Sequence, residues 1–318
     1  MFMRIVVVGA GAIGAYIAAV LARAGMQVAV IARGAHLDAI RRDGIVVLSS
    51  DLGAFHASVE ASDDLRALGV FDVALLTFKA HQWSAFMPQL EAAAAAGTTI
   101  VTFQNGVPFW FRRQPPLQSV DPGGAIGKLF GDDRTIGGVV HVSGHIAAPG
   151  KIRQSGGGRY ILHALDPDAD HLTMQLATHM RDAGLKPEIE ENIRHFVWLK
   201  LINNAGLNPV STLHRRTIHQ MLADPVTREE VRALMCETVA VGQALGVVGE
   251  VDVEARITYA MHVADVQTSM LQDSLARRPL ELDPIVGAVI ELADGVGVNV
   301  PHLRTVYNEL RSQMAAYS

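Results

Sequence analysis

A lysine and two asparagines near the middle of the chain are spaced four residues apart. Lys200, Asn204 and Asn208 lie in residues 197–209, a segment otherwise rich in valine, leucine and isoleucine. In a helix, positions i, i+4 and i+8 project from one face. The ammonium group is a proton donor, and the two carboxamides are uncharged hydrogen-bonding groups. This combination suits the reduction of a small oxo acid beside a cofactor.

Near the start of the chain, a glycine-rich segment has the spacing of a dinucleotide-binding loop. It consists of Gly9, Ala10, Gly11, Ala12, Ile13 and Gly14. An apolar, β-branched run at residues 4–8 precedes it, a helix is predicted over residues 15–25, and a second strand over 27–31. In such a unit the first glycine permits a tight turn, the second lets the backbone approach a pyrophosphate, and the third allows close packing of helix on strand. The helix N-terminus then offers free N–H groups to the phosphates.

The residue after the second strand distinguishes the two nicotinamide nucleotides. An NAD enzyme usually carries Asp or Glu there, but this chain has Arg33 followed by Gly34, and its next acid is Asp38. A guanidinium group binds a 2′-phosphate through paired hydrogen bonds, whereas a carboxylate would repel it. Arg33 therefore predicts NADP (NADPH) as the cofactor, with Arg41 or Arg42 as additional contacts.

The pattern of strands and helices predicts an α/β fold with two domains. Further buried strands are expected at 71–79 and 97–103, with a helix between them at 81–96. This alternation is typical of a Rossmann-type, doubly wound parallel sheet. A hairpin at 137–160 and a helix at 171–184 finish this N-terminal domain, and residues 186–188 form a short link. We therefore expect domains at 1–188 and 189–318, the second all helical, with its main helices at 227–245, 253–276 and 284–295.

Two more polar residues follow strands of the predicted sheet. Lys79 comes just after one strand, and Asn105 follows the next. In a doubly wound sheet, ligands bind at the carboxyl ends of the strands. Together with the glycine loop and Arg33, these positions predict a ligand site at that edge. Taken individually, Lys79 is also compatible with a solvated lysine and Asn105 with a turn asparagine.

Composition excludes several classes of function. The net charge of −5 and a pI near 6.2 lack the basic surface that nucleic-acid binding requires. Apolar runs are too short for a membrane span, and the N-terminus lacks a signal-peptide layout. The single cysteine, Cys236, excludes an internal disulfide and a cysteine-based metal site. We expect Cys236 to be buried in a helix. We also expect that the protein binds no metal and resides in a reducing cytoplasm.

Four motifs together resemble those of the ketopantoate reductase (2-dehydropantoate 2-reductase) family, over nearly the whole chain. They are the GxGAxG loop, the NG at 105–106, the KLxxNxxxNP at 200–209, and SMLQD at 269–273 followed by Glu281. The resemblance implies that Lys200 is the catalytic lysine and that Asn204 and Asn208 bind substrate. It further implies the following contacts: Asn105 with cofactor and substrate, Ser269 with the substrate carboxylate, Glu281 with cofactor and substrate, and Lys79 and Arg33 with the cofactor.

The resemblance also implies the reaction. In the family, NADPH reduces ketopantoate to pantoate, a precursor in pantothenate and coenzyme A synthesis. Lys200 would donate a hydrogen bond to the ketone and supply its proton. Glu281 would orient either Lys200 or a substrate hydroxyl, and the sequence leaves both roles open. The expected partner is a small 2-oxo acid, and the expected assembly is a homodimer.

Two segments depart from the family pattern. The aromatic stretch Phe109–Phe111 is unexpected, and the loop after Asn208 lacks an asparagine that some members carry. The aromatic stretch either lines the substrate pocket or packs against the second domain or another subunit. Three alternatives therefore stay open: a paralogue acting on another 2-oxo acid, a different Rossmann reductase such as a hydroxyacyl or opine-type dehydrogenase, and a catalytically silent NADPH-binding regulator.

Overall fold

The structure, a computed structural model, describes residues 3–262 and 265–315 and contains two compact units. The α/β unit comprises Met1–Gln104 and Ile126–Ile193, and the helical unit comprises Asn105–Ala125 and Arg194–Ser318. Residues 105–125 thus pack as part of the helical unit, although they lie between two segments of the α/β unit. The division into domains at residue 188 stays a prediction.

A ten-stranded mixed sheet forms the centre of the α/β unit. Its strands are β1 (Arg4–Val8), β2 (Gln27–Ile31), β3 (Ile45–Ser49), β4 (Gly53–Ala57), β5 (Glu60–Ser62), β6 (Val73–Leu76), β7 (Thr99–Thr102), β8 (Thr135–Ala148), β9 (Lys151–Ala164) and β10 (Lys186–Ile189). The helices in this part of the chain are α1 (Ala12–Arg23), α2 (Gly34–Asp43), α3 (Trp83–Ala95), α4 (Ala125–Leu129) and α5 (Asp170–Asp182).

The strand order confirms the predicted Rossmann-type sheet. The order is β4-β3-β9-β8-β7-β6-β1-β2-β5, and β10 pairs with β9. From β5 to β8 all neighbours are parallel, and β8 and β9 form the expected antiparallel hairpin. The chain leaves β1 toward β2 on one side and returns to β6 on the other. Such a reversal of strand order is the place where doubly wound sheets bind ligands.

Burial explains why the first βαβ segment is so apolar. Residues 5–8 of β1 are at most 1% exposed, and residues 15–21 of α1 are at most 3% exposed. A parallel strand covered on both faces requires an almost continuous apolar run. These residues belong to the buried core.

Two local predictions were wrong. Residues 186–188 form part of β10 rather than a link, because their backbone pairs in parallel with β9. Pro187 is compatible with this position because β10 is a short strand at the margin of the sheet. The single helix predicted over 253–276 is two helices, α9 (Val253–His262) and α10 (Ser269–Leu275). The N-cap Thr268 begins α10 anew, and residues 263 and 264 of the predicted helix lie outside the described residues.

The helical unit contains no strand among its described residues, as predicted. Besides α9 and α10, its helices are α6 (Ile193–His214), α7 (Ile218–Ala223), α8 (Pro225–Ala244), α11 (Ala288–Val296) and α12 (Pro301–Ala315). A π-helical turn at Asp283–Gly287 leads directly into α11.

Trp198 anchors α6 in this unit. Its ring is fully buried, and its Nε1 donates a hydrogen bond to the Thr238 carbonyl of α8 at 2.9 Å. A side chain at Gly242 would collide with the Trp198 ring. The ring of Phe111 packs on Trp198 with centroids 5.5 Å apart, and the whole Phe109–Phe111 stretch is buried. The aromatic stretch therefore contributes to the core of the helical unit.

The predicted burial of Cys236 was wrong. The residue does lie on a helix, α8, but its thiol is exposed. Arg232, one turn earlier on α8, places its guanidinium 4.0 Å from the sulfur. Position 236 thus belongs to the solvent-facing side of α8. The residue type alone could not predict which side of the helix it occupies.

Candidate active site

The glycine loop of the α/β unit has the geometry of a phosphate-binding turn. The backbone N–H groups of Gly9 and Ala10 both donate to the Ile31 carbonyl, at 3.1 and 3.0 Å, which ties the loop to the end of β2. Gly9 has φ +97°, and a side chain there would meet Phe78 at 2.6 Å. The loop therefore requires glycine at its first position.

The other two glycines have different surroundings. A side chain at Gly14 would collide with the Thr77 hydroxyl and the Gly9 carbonyl, so α1 packs directly on the loop. In contrast, no described atom lies within 4 Å of the position that a Cβ of Gly11 would occupy. Gly11 is the N-cap of α1 and has no side chain to satisfy the N–H groups of the first turn. The backbone there is open to a ligand.

Arg33 and Lys79 follow two strands of the same parallel set, β2 and β6, which lie on either side of β1. Arg33 is the exposed N-cap of α2, and its guanidinium carbon lies 4.3 Å from the centroid of the Phe86 ring. Lys79 is half-buried three residues after β6, and its backbone N–H donates to Gln82 Oε1 at 3.1 Å. The structure thus places both residues at carboxyl ends of strands, where the sequence predicted them.

In the helical unit, α6 carries the lysine–asparagine row. Residues 193–214 form one helix, so Lys200, Asn204 and Asn208 share a face as predicted. Lys200 and Asn204 are half-buried, and Asn208 is 7% exposed. Within the described residues, the carboxamides of Asn204 and Asn208 make no hydrogen bonds. Their donors and acceptors are therefore unused by these parts of the protein.

A hydrogen-bonded chain connects three of the predicted site residues. Lys200 Nζ donates to Asn105 Oδ1 at 2.9 Å, and Asn105 Nδ2 donates to Glu281 Oε2 at 3.2 Å. An ammonium group only donates and a carboxylate only accepts, so the orientation of the Asn105 carboxamide is determined by its two partners. Glu281 is 5% exposed. It acts on Lys200 through Asn105 as well as through its own charge.

These contacts influence the protonation of the lysine. Burial lowers the pKa of Lys200 from 10.5 to about 8, and the Glu281 carboxylate opposes this shift. Loss of hydration disfavours the ammonium form, whereas a nearby negative charge favours it. Here the loss of hydration is the larger effect. Lys200 therefore still carries its proton at neutral pH but releases it much more readily than a solvated lysine.

Gly106 holds Asn105 in place. It has φ +84°, and a side chain there would collide with the Pro284 carbonyl. The next residue, Val107, donates its backbone N–H to Pro284 O at 2.8 Å. The turn after Asn105 is thus fastened to the π-helical turn that follows Glu281, which explains how two residues 176 positions apart come into contact.

Ser269 lies apart from this chain of hydrogen bonds. It is the exposed first residue of α10, and no hydrogen bond between described residues connects it to the row. The preceding residue, Thr268, is buried and donates to Ser211 Oγ of α6 at 3.2 Å. The beginning of α10 is therefore attached to α6 one turn beyond Asn208.

Two groups that support the site were not predicted from the sequence. Arg256 of α9 donates to the Leu199 carbonyl and to Asn203 Oδ1, both at 3.2 Å, and so braces α6 beside the row. Glu291 of α11 accepts hydrogen bonds from Arg112, Gln118 N and both the N–H and hydroxyl of Ser119. Its carboxylate ties the segment after Asn105 to α11. Neither residue belongs to a recognisable motif, so only the structure reveals them.

Comparison with known proteins identifies the family. The model of the ketopantoate reductase PanE/ApbA family matches residues 5–167, and the model of its C-terminal domain matches residues 192–314. The chain belongs to the ketopantoate reductase family. A 2-dehydropantoate 2-reductase of Mesorhizobium japonicum is 38% identical over 96% of this chain and 95% of its own length. The family and its relatives indicate an oxidoreductase.

Solved structures share the fold. The 2-dehydropantoate 2-reductase of Geobacter metallireducens superposes with a TM-score of 0.87 at 27% identity, covering 98% of this chain and all of its own. A D-mandelate dehydrogenase crystallised with NADH and anilino(oxo)acetate has the same fold, with a TM-score of 0.86 at 19% identity over 99% of each chain. None of the helices that the structure describes is both long and apolar enough to cross a membrane.

Proposed function

We propose that the chain reduces 2-dehydropantoate (ketopantoate) to pantoate with NADPH, and that Lys200 is the general acid. The hydrogen-bonded chain from Glu281 through Asn105 to Lys200, in a member of the ketopantoate reductase family, carries this proposal. It provides a positioned ammonium group with a pKa of about 8, close to working pH, where a general acid is most effective.

Each predicted site residue of the helical unit has a role in the proposed reaction. Lys200 donates a hydrogen bond to the ketone oxygen, stabilises the negative charge that develops there, and transfers its proton to that oxygen. Asn105 and Glu281 hold the lysine in position. Asn204 and Asn208 offer their uncommitted carboxamides to the hydroxyl and oxo groups of the substrate, and Ser269 donates to its carboxylate.

The residues of the α/β unit fit the nucleotide. The open backbone at Gly11 and the first turn of α1 suit the pyrophosphate, and the guanidinium of Arg33 suits a 2′-phosphate. Lys79 adds a second positive charge at this end of the sheet. When bound, NADPH supplies the hydride for the substrate carbon.

The proposal is tested by following the oxidation of NADPH and of NADH by absorbance with a panel of 2-oxo acids. We expect ketopantoate to have the highest kcat/KM, with NADPH clearly preferred. A higher kcat/KM for a bulkier acid, such as an aryl 2-oxo acid, would assign the chain to a paralogue with a different substrate. Tight NADPH binding without turnover of any acid would indicate a silent regulator.

We also propose that the chain forms a homodimer. The ketopantoate reductase of Staphylococcus aureus, which shares this fold at 24% identity, is described as dimeric. Light scattering should give a mass of about twice the 34.1 kDa of the chain. A mass equal to that of one chain would contradict this proposal and would leave the proposed reaction unaffected.

A further inference from the structure

The guanidinium of Arg33 rests on an aromatic cluster in the α/β unit. Its central carbon lies 4.3 Å from the ring centroid of Phe86, a residue of α3 that is 5% exposed. The Phe86 ring stacks on Phe78 with centroids 4.4 Å apart and planes inclined by 22°. Trp83 meets Phe78 edge to face at 4.9 Å. The support beneath Arg33 is therefore a packed, buried structure.

The same cluster is in contact with the glycine loop. Phe78 approaches Gly9 so closely that a side chain at Gly9 would lie 2.6 Å from the Phe78 backbone nitrogen and 2.7 Å from its Cβ. The stacked Phe78–Phe86 pair thus contacts both Arg33 and the glycine loop. A nucleotide that binds to the loop and to Arg33 would therefore contact two groups that are supported by the same aromatic cluster.

Stacking leaves the hydrogen-bonding edge of Arg33 available. Among the described residues, no carboxylate pairs with its guanidinium and no carbonyl accepts from it. An exposed arginine normally samples many rotamers, and ordering it costs conformational entropy. Contact with an aromatic ring restricts the planar group and leaves its N–H groups available, and a guanidinium with available N–H groups can bind phosphate in a bidentate manner.

We propose that Phe86 is a specificity-determining positioning residue, which orients Arg33 for the 2′-phosphate of NADPH. This inference rests on the proposed use of NADPH. Phe86 itself does not touch the phosphate, and NADH has none, so loss of the ring should weaken the binding of NADPH and leave that of NADH almost unchanged. The expected change is about fivefold in the ratio of the two dissociation constants, the scale of one cation–π contact.

The experiment compares Phe86→Leu with a matched control in the full-length protein. Phe71 is 4% exposed and carries the guanidinium of Arg4 at 4.7 Å, so Phe71→Leu removes an equivalent arginine–phenylalanine contact from the same unit. Arg4 begins β1, at the opposite end of that strand from the glycine loop. Dissociation constants for NADPH and NADH are measured by titration calorimetry, and folding is checked by thermal melting.

We expect Phe86→Leu to reduce the NADPH preference and Phe71→Leu to leave it intact. Arg33→Ala should abolish the preference, and adding Phe86→Leu to Arg33→Ala should cause no further change, because Phe86 acts through Arg33. If Phe86→Leu is too unstable for its dissociation constants to be measured, Phe86→Tyr should retain the preference for NADPH and Phe86→Met should lose it.

Two results would overturn the inference. In the first, Phe86→Leu leaves the ratio of the two dissociation constants unchanged while Arg33→Ala lowers the preference for NADPH. In the second, Phe86→Leu weakens the binding of NADPH and of NADH equally, as expected of a purely structural residue. A different result would overturn the proposed cofactor itself. In that case the unmodified protein would bind NADPH and NADH equally well before any substitution is made.

Discussion

Three side chains distant in sequence form the proposed catalytic centre of the helical unit. Lys200 donates to Asn105, which donates to the buried carboxylate of Glu281. Lysine alone is a mobile, strongly solvated cation. Its position here depends on a neutral carboxamide, which orients the ammonium group without neutralising it. Glu281, on the far side of the Asn105 carboxamide from Lys200, supplies the negative charge.

Replacement of Lys200 tests its role as the acid. We expect Lys200→Ala to lower kcat at least about a hundredfold, the usual scale of general acid catalysis. The affinity for NADPH, measured by calorimetry, should change little because the proposed phosphate-binding residues belong to the α/β unit. If turnover stayed within threefold of the unmodified enzyme, Lys200 would be a structural residue.

The pH dependence provides a second test at this scale. A general acid must be protonated, so kcat/KM should fall as the pH rises through about 8, the pKa of Lys200. The Glu281 carboxylate raises that pKa. Its removal in Glu281→Gln should therefore move the alkaline limb of the profile toward lower pH. An unchanged limb would show that a group other than Lys200 controls it.

At the scale of elements, two turns bring the residues of this centre together. The turn after Asn105 contacts the π-helical turn after Glu281 through Gly106, Val107 and Pro284. Glu291 of α11 then fastens the segment that follows. A π-helical turn is rare and is often found at functional sites. Here its carbonyl at Pro284 provides the acceptor that positions the Asn105 turn.

Substitution of Gly106 should separate the effect of this contact from that of backbone strain. Gly106→Ala places a side chain at a backbone φ of +84° and also makes it collide with Pro284. Gly297→Ala places a side chain at a similar φ of +70°, but no described atom lies within 4 Å of it. Gly297→Ala should cost about 1 kcal/mol of stability and retain activity. Gly106→Ala should be less stable in urea and should also lose kcat. Equal effects of the two substitutions would contradict this role of the Pro284 contact.

At the scale of the whole molecule, the Phe109–Phe111 stretch contributes to folding. Trp110 is 1% exposed, and Phe111 packs on Trp198 of α6. Trp110→Ala should lower the free energy of unfolding by about 3–5 kcal/mol, as expected for truncation of a buried aromatic residue. Tyr259→Ala, which truncates an aromatic side chain that is 74% exposed, should cost far less. Urea unfolding of both variants checks this prediction.

The same variant addresses the two roles that the sequence left open for this stretch. A core residue should affect stability without changing the order of kcat/KM among 2-oxo acids or the mass in solution. A changed substrate order in Trp110→Ala would show that the stretch shapes the pocket. A changed mass would show that it lies at a subunit interface.

Features that depend on neighbours in sequence could be predicted from the sequence. The glycine loop, the parallel strands β1, β2, β6 and β7, the β8–β9 hairpin and the helical row from Lys200 to Asn208 all follow from turn chemistry and from repeats of two or 3.6 residues. Each of these signals comes from residues that are close together in the chain. The pairing of β10 escaped prediction because it depends on β9, a strand distant in sequence. The start of α10 was missed for a different reason: Thr268 is a local N-cap, and the continuous helix predicted over 253–276 overlooked it.

Contacts between distant residues were decided only by the tertiary structure. The sequence placed Glu281 in the site by resemblance and left its partner open, whereas the structure gives that partner as Asn105. The solvent-facing position of Cys236, the contact of Gly106 with Pro284 and the stacking of Arg33 on Phe86 likewise depend on how whole elements pack. Packing sums many weak interactions over the whole chain, so no local pattern of residues specifies which pair will meet.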